Sequence, residues 1–123
     1  MEFISTDKAP AAVGAYSQAV RVNGFVYSAG QVGIDPATGN LLEGVEAQTR
    51  QVLANLTGVL EAAGLGLHRV VKTTVFVADI ADFQTINAIY AEAFGEHRPA
   101  RSLVQAAALP LGARVEIEVV AAL

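Results

Sequence analysis

Short apolar runs alternate with glycine- and proline-rich breaks along this chain, and two longer stretches repeat their apolar positions every three or four residues. Between Gln18 and Ala29 the segments AVRV and FVYSA flank Asn23-Gly24, a dipeptide that supplies the positive φ angles of a two-residue hairpin turn. A β-hairpin is expected there. The next stretch, GQVGIDPATGNLLEG, carries four glycines and an Asp-Pro step, which predicts an irregular surface loop with its own turn at Pro36 to Gly39. From Val45 to Ala63 the apolar positions are Val45, Thr49 (through its methyl), Val52, Leu53, Leu56, Val59, Leu60 and Ala63. This is one stripe of a helix, and Gly64 and Gly66 end it as a C-terminal cap would.

His68 to Val77 reads HRVVKTTVFV, β-branched or apolar at nearly every position, as in a central strand covered on both faces. A second helix is expected from about Asp82 to Phe94, capped by Asp79 or Asp82 and stopped at Gly95. Ala100 to Gln105 and Arg114 to Ala122 read as strands joined by the turn-like LPLGA. The expected fold is α+β, one domain over residues 1–123, with two helices on one face of a single mixed β-sheet. The right-handed crossover rule puts both helices on the same side, so the other face is left for a partner.

Composition sharpens that expectation. Hydrophobic residues make up 53% of the chain and charged ones 16%, more apolar surface than a small core absorbs, and burial between subunits is the simplest outlet. The net charge is −4 and the pI about 5.0, so the basic field that nucleic-acid binding needs is missing. There is no cysteine, which removes a disulfide framework and a thiolate nucleophile and fits a reducing cytoplasm. The opening MEFISTDKAP lacks the basic start and apolar run of a secretory signal. Charges and turn residues interrupt every apolar run before the roughly 18 residues of a membrane span.

Candidate chemistry lies in the last two strands. Alternation puts Arg101, Leu103 and Gln105 on one face and Ala100, Ser102 and Val104 on the other. The small set suits the helix side, and so does the wholly apolar set Val115, Ile117, Val119 and Ala121. Arg101 and Glu116 are then expected to share the open face. A guanidinium on an apolar face needs an anion, which is either a side chain, Glu116 or Glu118, or the carboxylate of a ligand. The two histidines suggest less: His68 reads as a strand-edge residue, and His97 as a secondary candidate for the cleft near Arg101. The Gly64-Leu65-Gly66 segment precedes a strand and is no phosphate loop, and Ser17, Ser28 and Ser102 lack a nucleophile elbow.

The stretch RPARSLVQAAALPLGARVEIE closely resembles the signature of the reactive intermediate deaminase (Rid, YjgF-like) family. DKAPAAVGAYSQAV, GQVGIDPATG, VVKTTVFVADIADFQTIN and AIYAEAF extend the resemblance over essentially the whole chain. It implies a chorismate-mutase-like fold and a homotrimer with clefts between subunits. The implied activity is cofactor-independent, metal-free hydrolysis of 2-imino acids and their enamine tautomers to 2-keto acids and ammonia. Arg101 would bind the substrate carboxylate and Glu116 would position the attacking water, with Tyr16, Gly30 and Asn87 lining the cleft. Leu103 and Ala29 depart from the pattern, since many members carry a cysteine and a serine there. These departures keep in view a binding protein for small carboxylates or keto acids. The other alternative is the ribonuclease or translation-inhibitor role for which some members were named, and the acidic balance argues against it.

Overall fold

A computed structural model describes residues 1–123 and joins seven strands into one mixed sheet. Strand β1 (Glu2–Ile4) pairs with β2 (Ala19–Val22), which turns into β3 (Phe25–Ser28). Asn23 and Gly24 at that turn have φ of 50° and 82°, the left-handed pair expected from the dipeptide. Strand β4 (Gln31–Val32) interrupts the expected loop. Helix α1 (Val45–Ala62), β5 (Val70–Val77), α2 (Phe83–Phe94), β6 (Ala100–Gln105) and β7 (Val115–Ala122) follow. The order is β1-β2-β3-β7-β5-β6, with β4 also on β7. Only β5 and β6 are parallel, and α2 is the crossover that a parallel pair requires.

Both helices cover one face, as expected. Val52, Leu53, Leu56 and Leu60 of α1 meet Ile86, Ile89, Tyr90 and Phe94 of α2 over the inward residues of β5 and β7 in one core cluster. A smaller cluster beside it joins Val59 of α1 and Ala63 just after it to Ile4, Ala19 and Val26. The end of α1 has a reason in its backbone: Gly64 takes φ 76°, and the amides of Gly64 and Leu65 donate to Glu61 and Leu60 carbonyls, the paired bonds of a glycine-closed helix end.

Several local expectations shift. Leu67–Arg69 forms a 3-10 turn, so His68 is exposed ahead of β5 rather than at the strand's edge. Strand β5 is central, between β7 and β6, but Lys72, Thr74 and Phe76 are half-buried on the open face. Asp79 caps the 3-10 turn Ile80–Asp82 by accepting from the Ala81 amide. Asp82 sits at the N-cap of α2 without a capping bond, because its carboxylate takes the Arg114 guanidinium at 2.5 Å instead.

The largest correction concerns faces. Arg101 pairs with Thr73 and Leu103 with Val75 in parallel register, and Thr73 and Val75 are wholly buried on the helix side. Arg101, Leu103 and Gln105 therefore share the helix face, and Ala100, Ser102 and Val104 point to the open one. Glu116, between the buried Val115 and Ile117, lies on the open face as expected. The two residues stand on opposite sides of the sheet, and no structural ion pair links Arg101 to Glu116 or Glu118.

Polar side chains of α1 tie the loop around β4 to the sheet. The Gln48 side chain donates to the Leu42 carbonyl and accepts from the Arg114 amide, while Asn55 donates to the carbonyls of Val32 and Ile34. Gly33 lets these approaches happen, since a Cβ there would stand 2.6 Å from Gln48 Cα. Gly33→Ala is expected to destabilise the chain by about 1–3 kcal/mol, as overpacking does, read as a lower urea midpoint at unchanged slope. No helix is long and apolar enough to cross a membrane.

Candidate active site

Two separate groups of candidate residues emerge, one on each side of the sheet. On the helix side, Arg101 leaves β6 and lies against α2. Its Nη1 donates to Asn87 Oδ1 at 2.8 Å. The guanidinium carbon is 4.9 Å from the Tyr90 ring centroid and 5.6 Å from that of Phe83. Tyr90 is fixed in turn, its hydroxyl 2.8 Å from Thr73 Oγ1 in the buried interior. Asn87, Tyr90, Arg98, Pro99 and Arg101 line a cleft of about 420 Å³.

Lys8, Arg21, Arg50 and Arg114 each lie within ion-pair distance of a carboxylate; Arg69, Lys72, Arg98 and Arg101 do not. Arg69 and Arg98 are exposed and donate to backbone carbonyls, and Lys72 donates to the Ser102 hydroxyl, whereas Arg101 is half-buried in a cleft with only the neutral Asn87 amide and two ring faces. A half-buried guanidinium so placed keeps N–H donors for an incoming carboxylate, which its planar fork can grip with two bonds.

On the open side, Glu116 of β7 lies between Val32 of β4 and Phe76 of β5. Gly30 is packed against it so closely that a Cβ would stand 2.5 Å from Glu116 Oε2. Tyr16, Gly30, Leu111 and Glu116 belong to one cleft of about 440 Å³. Tyr16 is 54% exposed, so it forms a rim and is not a core aromatic. Leu111 takes φ 60° in the turn before β7, a left-handed conformation that is costly for a side chain other than glycine. Burial, and then the nearby charge of Glu118, push the Glu116 carboxyl above the ordinary 4.5. A carboxylate with a raised pKa is a stronger base.

The remaining candidates fall away from these clefts. Leu103 follows Arg101 on the same face and packs against the main core. Ala29 is half-buried, and its amide donates to the Gln18 carbonyl. The hydroxyl of the preceding Ser28 accepts from the Val119 amide, so it is occupied within the sheet. His97 brings Nε2 to 2.6 Å from the Val70 carbonyl oxygen, fastening the segment after α2 to β5. Sequence reasoning missed Tyr90 and Phe83 as neighbours of Arg101. Their signal was present, because Phe83, Asn87 and Tyr90 repeat at four and three residues on one helix face.

A mixed sheet backed by two helices, with an unpaired guanidinium on one side and a desolvated carboxylate on the other, defines an α+β protein of the YjgF-like fold, and solved structures agree. RidA from the Antarctic bacterium Psychrobacter matches with a TM-score of 0.97 at 49% identity, covering all of both chains. E. coli TdcF with bound serine matches at 0.96 and 40% identity, covering 100% of this chain and 99% of its own.

The chain belongs to the Endoribonuclease L-PSP family, the YjgF/Rid family, whose model matches residues 6–123. It is 54% identical over 119 residues to a rat 2-iminobutanoate/2-iminopropanoate deaminase, covering 96% of this chain and 87% of that protein. It is 52% identical over 123 residues to the chloroplastic Reactive Intermediate Deaminase A of Arabidopsis thaliana, covering 99% of this chain and 66% of that longer protein.

Proposed function

We propose that this protein hydrolyses 2-imino acids and their enamine tautomers, such as 2-iminopropanoate and 2-iminobutanoate, to 2-keto acids and ammonia in the cytoplasm. The observation that carries the reading is Arg101, a half-buried guanidinium held by Asn87 and aromatic rings with no carboxylate partner of its own. Relatives named as deaminases of these substrates and a neighbour that binds serine support it.

In the proposed reaction Arg101 takes the substrate carboxylate in a paired bond. Glu116 accepts a proton from water, whose oxygen adds to the imine carbon. The same carboxyl returns that proton to nitrogen, giving the carbinolamine, and then carries the hydroxyl proton to the amino group, so that the C–N bond breaks and ammonia leaves as the carbonyl forms. These imines hydrolyse unaided in water, so positioning and one base suffice for the acceleration required. Tyr16 and the backbone at Gly30 border the reacting centre.

Arg101 and Glu116 occupy opposite faces of one sheet, so the working site needs Arg101 and Asn87 from one copy and Glu116, Gly30 and Tyr16 from another. A homotrimer with three such clefts satisfies this requirement and covers the open sheet face. The neighbour's guanidinium then opposes the upward pull of burial on Glu116.

The test couples a threonine dehydratase to this protein and traps the remaining imine with semicarbazide. Wild type is expected to speed imine loss, and Arg101→Ala to reduce kcat/KM by about a hundredfold or more, as loss of a charge-assisted pair does. Decay equal to buffer across several imino acids would sink the reading in favour of a small-carboxylate binding protein. Ribonuclease action has less support, because a net charge of −4 gives no field for a phosphate backbone.

A further inference from the structure

We infer that Tyr90 is a positioning residue for the substrate carboxylate, acting through Arg101 as a fixed aromatic platform beneath the guanidinium. This rests on the reading of Arg101 as a carboxylate receptor. An arginine side chain has several soft torsions, and a guanidinium left free to sample them loses part of each bond it forms to ordering. Three contacts remove that freedom here. Asn87 Oδ1 holds Nη1, and the rings of Tyr90 and Phe83 lie 4.9 and 5.6 Å from the guanidinium carbon.

Tyr90 differs from Phe83 in being built to stay still. It is only 6% exposed, its ring stacks on Phe94 with centroids 4.5 Å apart, and its hydroxyl is bonded to Thr73, which pairs with Arg101 across the sheet. One closed circuit therefore runs from β6 to β5, through the Thr73 hydroxyl to α2, and back to Arg101 through the ring face. The ring quadrupole also offsets part of the cost of holding a cation without an anion. A carboxylate side chain at this place would neutralise Arg101 and compete with substrate. An aromatic face steadies the charge and leaves its donors free.

Size and electrostatics are separated by placing phenylalanine and its mono-, di- and trifluorinated forms at position 90. Fluorination keeps the ring and its packing while it weakens the attraction for a cation. Tyr90→Phe loses the bond to Thr73, so it is expected to raise KM for 2-iminobutanoate by about threefold and to lower the melting temperature. It is the reference for the series, in which KM is expected to climb stepwise by roughly a further tenfold from phenylalanine to its trifluorinated form. Across the fluorinated forms melting temperature and kcat should change little. The same series is read by calorimetric titration with 2-oxobutanoate, a stable keto acid that needs no turnover.

A KM and Kd that stay flat across the series would overturn the platform. So would a wild-type protein that binds no 2-oxobutanoate and turns over no imine. Binding that weakens along the series in a protein without deaminase activity would uphold the platform and defeat the deaminase reading alone.

Discussion

Mixing unfolded Arg101→Ala chains with unfolded Glu116→Gln chains and refolding them together is expected to restore deaminase activity that neither variant shows alone. The expectation follows from the opposite faces that the two residues occupy. In a cyclic assembly each cleft takes its guanidinium from one copy and its carboxylate from the next. Random mixing of equal amounts then leaves about one quarter of the clefts with both groups intact. A site built within a single chain behaves differently, because every chain in the mixture carries one defect and no cleft recovers. The measurement is semicarbazide-trapped imine decay before and after co-refolding, with each variant refolded alone as reference. Recovery near a quarter of wild type supports a shared site; no recovery, with correct assembly on a sizing column, defeats it.

Glu116→Gln should separate activity from stability. Losing the base is expected to lower kcat by about a hundredfold to ten-thousandfold, while the amide still fits beside Gly30. The stability effect has the opposite sign. Burial and Glu118 raise the pKa of Glu116 above the ordinary 4.5, so the folded chain holds this proton more tightly than the unfolded chain does. Between 4.5 and the folded value, the folded state binds more protons, and stability falls as pH rises. Above that window the whole penalty remains.

Glutamine carries no such penalty, so in an Arg101→Ala background Glu116→Gln is expected to raise the melting temperature at pH 7.5 and to have little effect at pH 4. Thermal denaturation at the two pH values checks this. A variant less stable than its parent at pH 7.5 would mean that another cation already compensates the Glu116 charge.

The sequence made the α+β class, both helices, the hairpin and five of the seven strands legible, because long periodic segments carry their own signal. Strands β1 and β4 escaped it: three and two residues are too few to show a period. The faces of β6 were misread for a physical reason. Alternation sorts side chains into two sets, but it does not say which set turns inward. The apolar set of β7 settles itself, since Val115, Ile117, Val119 and Ala121 must be buried. In β6 the choice lay between small residues and a set led by an arginine.

The register with β5 decides the matter. Leu103 fills the core beside Val75, and the Arg101 stem runs along α2 with its charge over aromatic faces. The candidate residues themselves were readable as a group from the motifs, but their placement on opposite faces of the sheet was not, since it depends on that register. Asp82 does stand at the N-cap of α2, but its side chain makes no capping bond there, because a bond to Arg114, distant in sequence, takes its carboxylate.

The opposite placement of Arg101 and Glu116 also separates folding from competence. On the shared-site reading, a lone copy buries its core beneath both helices yet holds only half of each instrument it needs. In the proposed assembly, working capacity then follows subunit concentration relative to the association constant. Below that threshold the cell would contain intact but idle protein, and output would rise more steeply than expression. The lifetime of activity on dilution would be set by how long neighbours stay together, a clock independent of how long each chain stays folded.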